Sequence, residues 1–188
     1  MQHKQKMMFI DSISIVHKNK DGKVLSSRTI NNSPFHRLLC KLGIRHNSMT
    51  VNGLVGCAGL IGATTPPAAM NFVGIGTGTV AASSTDVWLG AATTCQSASS
   101  VSKVSTAVSN DTLQLVYTFG STGGGGSLTG TSSVSEVIAA SGSGTTDSSA
   151  SGTHTAFLRQ VYTPVDVCQW AQGDTLQVTI KLQCKQGA

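Results

Sequence analysis

The sequence predicts a mainly β protein: an antiparallel β-sandwich or jelly-roll-like domain with one short helix. Residues 176–184 alternate apolar and polar side chains without a break, which is the period of a half-buried strand. Short strand-like runs recur between clusters of Gly, Ser, Thr, Asn and Asp, as in sandwiches and barrels. Only 11% of the residues are charged, against about 25% in an average soluble domain. The polar surface must therefore consist mainly of neutral side chains.

The first thirty residues are predicted to form a basic β-hairpin. Strand-like segments at 9–17 and 24–30 flank the turn sequence at 19–22, which ends in Asp-Gly. We treat residues 1–30 as an N-terminal hairpin or arm, and residues 31–188 as a single β-sandwich domain.

A helix and a loop insertion are expected next. Ser33 suits an N-cap, Pro34 suits the first helical position and Gly43 suits the end, so a short helix is predicted over residues 33–43. The following segment, 47–69, is rich in Gly, Thr and Pro and is interpreted as an irregular insertion that makes contacts.

The remainder of the chain is predicted to supply the other strands. Trp88 and Leu89 are expected to be core anchors, and residues 141–153 a low-complexity loop. The predicted strands are 70–75, 101–108 paired with 112–119, 132–140, and 156–167 paired with 175–184.

Three glycines follow or end the strand at 70–75. Gly74, Gly76 and Gly78 invite comparison with phosphate-binding loops, but the third glycine of the dinucleotide-binding motif and the P-loop lysine are both missing. We predict that these glycines form a tight structural turn at the end of the strand.

No complete catalytic or metal-binding motif is present. The chain has one glutamate, Glu136, which we interpret as a paired polar strand residue and not as an acid catalyst. The five histidines lack zinc-binding spacing and are expected at the surface or at an interface. The five cysteines form no Cys-x-x-Cys pair; Cys40 and Cys184 are interpreted as small buried apolar residues, and a disulfide is left open. We expect no enzyme, cofactor or metal site.

Positive charge is concentrated near the start of the chain. Nine of the thirteen Lys and Arg residues precede residue 46, where only two aspartates oppose them. Such clustering suits binding to nucleic acid, to an acidic partner or to another subunit. Aromatic residues, on which bases could stack, are sparse in this region, so we favour protein contacts over nucleic acid. The predicted intersubunit contact residues are Lys18, Lys20, Lys23, Arg28, Arg37 and Arg45.

The sequence also leads us to expect no membrane partner. The apolar stretches are too short or too glycine-rich to cross a bilayer, and the first eleven residues do not have the pattern of a signal peptide. We therefore expect synthesis in the cytoplasm without export.

The order of motifs resembles that of small structural proteins of tailed bacteriophages. The residues that carry the resemblance are Phe72 to Thr79, Ser84 to Leu89, Leu113 to Phe119, Phe157 to Arg159 and Gly173 to Ile180, within residues 70–182. The chain departs from the pattern at 135–138, which reads Ser-Glu-Val-Ile, and in its long Ser/Gly loop.

The resemblance implies a non-enzymatic virion protein, made in the cytoplasm of the bacterial host and assembled in multiple copies. A tail, collar or fibre-associated component is the leading expectation, with copies of itself and other virion proteins (coat, tail or portal-region) as partners. One alternative is a capsid decoration protein that clamps coat subunits. Another is a carbohydrate- or receptor-binding module that would use an exposed Tyr162 or Trp170 as a stacking platform, although both aromatics are more simply interpreted as core or interface residues.

Overall fold

The protein is built from two five-stranded antiparallel sheets, as seen in a computed structural model. The model describes residues 7–31, 48–51, 53, 55, 58, 68–105, 109, 111–120, 130–142 and 154–186. The strands are β1 Met7–Lys18, β2 Val24–Asn31, β3 Ser48–Met49, β4 Met70–Gly76, β5 Ala92–Ser97, β6 Ser100–Val104, β7 Thr112–Gly120, β8 Thr131–Gly142, β9 His154–Gln169 and β10 Thr175–Gln186. This architecture confirms the predicted β-sandwich.

The main core lies between the two sheets. Alternation in β10 places Leu176, Val178, Ile180 and Leu182 in this core, as the sequence pattern predicts. The other sheet, which contains β4, contributes residues such as Val73 from its inner face. Burial of these apolar side chains is the main force that holds the sheets together.

Sheet I has the strand order β2-β1-β10-β7-β6. The hairpin prediction is confirmed, because β1 and β2 pair antiparallel around a turn at residues 19–23. The prediction that this hairpin forms an arm separate from the sandwich is wrong. Strand β1 lies between β2 and β10, and its Ile13 and Ile15 are completely buried in the main core. The predicted hairpin of β6 and β7 is also present.

Sheet II has the order β3-β9-β8-β4-β5. The predicted pairing of 156–167 with 175–184 is therefore wrong, since β9 pairs with β8 and β10 pairs with β1 and β7. The chain crosses from one sheet to the other through a 3₁₀ turn, Trp170–Gln172, which ends at Gly173 with a φ of 85°. The Trp170 side chain is fully buried at this corner, which fixes it in the main core.

The outer face of sheet II carries a second, smaller core. It contains Phe72, Cys95, Ile138, Ala140 and Ala156 from the strands, together with Trp88 and Leu89. Trp88 and Leu89 belong to the connection 77–91 between β4 and β5, which we call the covering loop. Their burial confirms the prediction that both are core anchors.

Two predictions concern the region between β2 and β4. The predicted helix at 33–43 lies outside the described residues. Segment 47–69 was expected to be irregular, but Ser48–Met49 form β3, and Val51, Gly53, Val55 and Ala58 occupy helical positions. Sequence reasoning missed the helical positions because glycine is unfavourable inside a helix. A Cβ added at Gly53 would lie 2.5 Å from the carbonyl oxygen of Phe157 in β9, so this glycine permits close packing.

Within the described part of the chain, no helix is both long enough and apolar enough to cross a membrane.

Candidate functional site

The most polar buried site lies beneath the covering loop and is centred on Glu136. This side chain is fully buried in β8. One carboxylate oxygen accepts hydrogen bonds from the backbone N–H groups of Gly78 (2.9 Å) and Ala91 (2.7 Å). The other accepts from the N–H of Gly90 (2.9 Å) and from the guanidinium of Arg159 (2.8 Å). These donors satisfy the roughly four acceptor positions that a carboxylate offers.

A β-bulge directs Glu136 to this site. In a regular strand, Val134 and Glu136 would point to the same face of the sheet. The pairing of β8 with β9 shifts register between these two residues. As a result Val134 packs in the main core, whereas Glu136 points to the outer face, beneath the covering loop. Bulges often re-aim a side chain in this way.

Arg159 of β9 connects Glu136 to the middle of the covering loop. Its guanidinium lies 2.7 Å from the Glu136 carboxylate and 2.7 Å from the Asp86 carboxylate, and it donates to the carbonyl of Val80 at 3.2 Å. The Arg159 side chain is almost completely buried. Arginine is suited to this position because its planar fork can contact several acceptors at once.

Glycines provide the space that the buried carboxylate needs. A Cβ added at Gly76 or at Gly78 would lie 2.5 Å from a carboxylate oxygen of Glu136. A Cβ at Gly74 would lie 2.6 Å from a methyl group of Ile138. The predicted turn is therefore wrong for Gly74 and Gly76, which lie within β4, while Gly78 does follow the strand. The role of all three is steric.

The hydrogen bonds around Glu136 determine its ionisation. Burial alone would raise its pKa, but hydrogen bonds from Ala91, Gly90, Arg159 and Gly78 outweigh burial and lower the pKa below its usual value. Glu136 therefore remains a carboxylate near neutral pH. With its acceptor positions filled by the protein, it is poorly placed to transfer a proton, and its interpretation as a paired polar residue is supported.

The arrangement ties three parts of the covering loop to sheet II. The carboxylate holds the beginning of the loop at Gly78 and its end at Gly90 and Ala91, while Arg159 holds the middle at Val80 and Asp86. Buried Trp88 and Leu89 add apolar anchoring. The mechanical result is a loop with one defined conformation on the outer face of the sandwich.

We expect Gly78→Ala to lower the free energy of unfolding by about 1–3 kcal/mol, as overpacking does. The new methyl group would collide with the Glu136 carboxylate. Urea unfolding of the four proteins in a Gly78→Ala and Glu136→Ala cycle measures this directly. In the Glu136→Ala background the methyl group has room, so the cost of Gly78→Ala should fall to less than half; an equal cost in both backgrounds would contradict the steric role.

The predicted basic contact residues lie apart from this buried site. Lys20 and Lys23 are exposed near the β1–β2 turn, and Lys18 is half-buried beside them. Arg28 is half-buried, 3.5 Å from the Asp166 carboxylate and 5.4 Å from the centre of the Tyr162 ring. Its intramolecular contacts disfavour a role as an exposed contact residue. Arg37 and Arg45 lie outside the described residues.

The aromatic pair considered as a stacking platform is buried, and so is His17, which was expected at the surface or at an interface. Tyr162 and Trp170 are both inside the main core, so neither is the exposed stacking platform that a carbohydrate-binding module would need. His17 is buried beside Asp174, with 3.0 Å between its Nε2 atom and a carboxylate oxygen. The same oxygen accepts the N–H of Gln169 at 3.0 Å, so this pair braces the corner between the sheets.

We expect Cys168 to resist alkylation in the folded protein. It is a free, fully buried thiol, and burial, together with the nearby Asp166 and Asp174, raises its pKa to about 12. Since the thiolate is the reactive form, iodoacetamide should modify it only after unfolding. Peptide mass spectrometry with and without urea checks this; rapid modification of the native protein would contradict the buried position.

The Glu136–Arg159–Asp86 cluster as a whole was missed by sequence reasoning. Its members are far apart in the chain and come together only through strand pairing and the covering loop. The available signal was that Glu136 and Arg159 are isolated charges in otherwise neutral strands. A charged side chain that is buried must find a partner. Among the described residues, no group of three His, Cys, Asp or Glu side chains is arranged to hold a metal ion.

Comparisons with protein-family models, curated proteins and solved structures found no match to this chain.

Proposed function

We propose that this chain is a non-enzymatic structural protein of a tailed-bacteriophage particle, present in multiple copies as a tail, collar or fibre-associated component. Its role is mechanical: it presents fixed contact surfaces to other copies and to other virion proteins. The single observation that carries the proposal is the use of the chain's only glutamate to fix a surface loop.

The chemistry of the buried cluster supports a structural role. Among the described residues, Glu136 and Arg159 form the charged pair best shielded from water. Their hydrogen-bonding groups are satisfied by each other, by Asp86 and by backbone groups. A catalytic carboxylate needs access to a reacting group and a pKa suited to proton transfer. Glu136 has neither property. A loop held in one conformation suits a particle component, because its contact surface must keep a constant shape.

The composition of the surface also supports assembly. With 11% charged residues the protein has few ions to desolvate when it packs against a neighbour. The resemblance of residues 70–182 to phage structural proteins points in the same direction. The alternative of a carbohydrate-binding module loses support because its proposed aromatic platform is buried.

The test is to locate the protein in particles. Phage particles from cells that encode the chain are purified on a density gradient, and gold-labelled antibodies against the recombinant protein are applied to them. We expect label at a defined position: on the tail, collar or fibres for the proposed component, or on the capsid surface for a decoration protein. Particles that carry neither label nor peptides of this chain would overturn the proposal.

A further inference from the structure

The covering loop belongs to a long part of the chain that is almost free of charge. Between residues 46 and 102 the only Asp, Glu, Lys or Arg is Asp86. Its carboxylate lies 2.7 Å from the buried guanidinium of Arg159 and also accepts the N–H of Ser83 at 2.8 Å. This region therefore presents no unpaired charge from its described residues.

The same region carries the most exposed valines of the described residues. Val80 is 76% exposed, and Val87 and Val55 are each 65% exposed. We call Val51, Val55, Val80 and Val87 the valine layer. Isolated exposed apolar residues are ordinary, but several that lie close together indicate an interaction surface.

Hydrogen bonds connect the segments that carry the valine layer. The N–H of Val51 donates to the carbonyl of Ser84 at 2.8 Å, which joins the helical positions to the covering loop. Val51 and Val55 are four residues apart on a helical segment and so share a face. Arg159 contacts both the Val80 carbonyl and the carboxylate of Asp86, the neighbour of Val87. Val51, Val80 and Val87 thus lie on segments that hydrogen bonds join to one another or to Arg159 of sheet II.

The loop is fixed before any partner binds. Its beginning, middle and end are held by Glu136 and Arg159, as described above. Binding through a loop that is already ordered avoids the entropic cost of fixing it at the moment of association. The exposed valines are consequently presented in a constant arrangement.

We propose that the valine layer is the surface through which one copy of this chain docks onto a second copy. The inference rests on the proposed function and names the contact face that multi-copy assembly would use. A two-fold contact brings the same patch of each copy together, so a charged patch would meet its own charge. The chain carries a net charge of +5, and Lys20 and Lys23 make the end of the β1–β2 hairpin basic. The valine layer avoids this repulsion.

Matched lysine substitutions test the proposal. Val80→Lys and Val87→Lys each place a charge in the proposed contact, and Val101→Lys places the same charge on β6 of the other sheet, where the valine is 51% exposed. All three proteins have the same net charge. Light scattering and sedimentation over a concentration series give the dissociation constant of the oligomer, and urea unfolding verifies that each variant is folded.

We expect the wild type to self-associate, and Val80→Lys and Val87→Lys to weaken association at least tenfold while Val101→Lys changes it less than twofold. Equal association in all proteins, or selective loss in Val101→Lys, would overturn the proposal. A wild type that stays monomeric at the highest concentration would also overturn it. The proposed virion role is tested separately by the particle labelling, so the two can fail independently.

A second measurement applies if a lysine variant does not fold. Amide hydrogen exchange of the wild type is compared at low and high protein concentration. Slower exchange at residues 79–89 in the concentrated sample would support the proposal, and protection confined to β2 or β6 would contradict it.

Discussion

Glu136→Gln is expected to lower the free energy of unfolding by about 3–5 kcal/mol, the usual cost of removing one partner of a buried ion pair. Glutamine has nearly the same shape, so no cavity forms. However, its amide group would direct hydrogens toward the N–H groups of Gly78, Gly90 or Ala91, which already donate to this position. Arg159 would also lose its buried counter-ion. Urea unfolding monitored by tryptophan fluorescence measures the loss.

Asp21→Asn is the matched control for this substitution. It makes the same carboxylate-to-amide change at an exposed residue of the β1–β2 turn. Its effect should lie within about 0.5 kcal/mol, as is usual for surface substitutions. Similar small effects for both variants would show that the carboxylate does not hold the covering loop.

Acid should remove the stability that Glu136 contributes. The folded protein lowers the pKa of Glu136, whereas an unfolded glutamate has a pKa of about 4.3. The contribution is therefore complete above the unfolded pKa and is lost as the pH falls toward the lower pKa of the folded group. The difference in free energy of unfolding between wild type and Glu136→Gln should shrink between neutral pH and the acid range. A difference that is constant with pH would contradict the ionic role.

Ile15→Asp is expected to abolish folding. Ile15 is fully buried in β1 between the two sheets, and an aspartate there would be an unpaired charge in an apolar core. Costs above about 4–5 kcal/mol are exceptional for single substitutions and approach the total stability of a small domain. Circular dichroism and urea unfolding should show no cooperative transition.

Val24→Asp is the matched control for the β1 substitution. It introduces the same side chain into the same hairpin, at an exposed position of β2. This variant should remain folded. If Ile15→Asp also remained folded, residues 1–30 would be an independent arm after all, contrary to the position of β1 inside sheet I.

The sequence predicted most of the strands, although not β3 or β5, because the signal of the others is local. Alternation in β10, the continuous apolar run of β4 and the turn chemistry of the β1–β2 hairpin depend on neighbouring residues alone. Pairing partners were harder to predict. Strands β9 and β10 are consecutive, and a hairpin is the simplest assumption, but the corner at Trp170 sends them to different sheets.

The candidate site was largely hidden from sequence analysis. Glu136 was correctly interpreted as a paired residue, but nothing local identified Arg159 and Asp86 as the other charged members of its cluster. The bulge that turns Glu136 to the outer face depends on the pairing of β8 with β9. The glycines of β4 suggested a turn because their steric role depends on residues far along the chain, Ile138 for Gly74 and Glu136 for Gly76. Long-range packing decided each of these features.

The copy number of this chain in purified particles, measured by quantitative mass spectrometry against the coat protein, is the first test of the proposed virion role. Particles are washed in high salt first, to remove proteins held only by surface charge. A structural role requires a fixed number of copies greater than one that withstands the wash. A chain that is absent, or that is lost at high salt, would contradict a structural role in the virion.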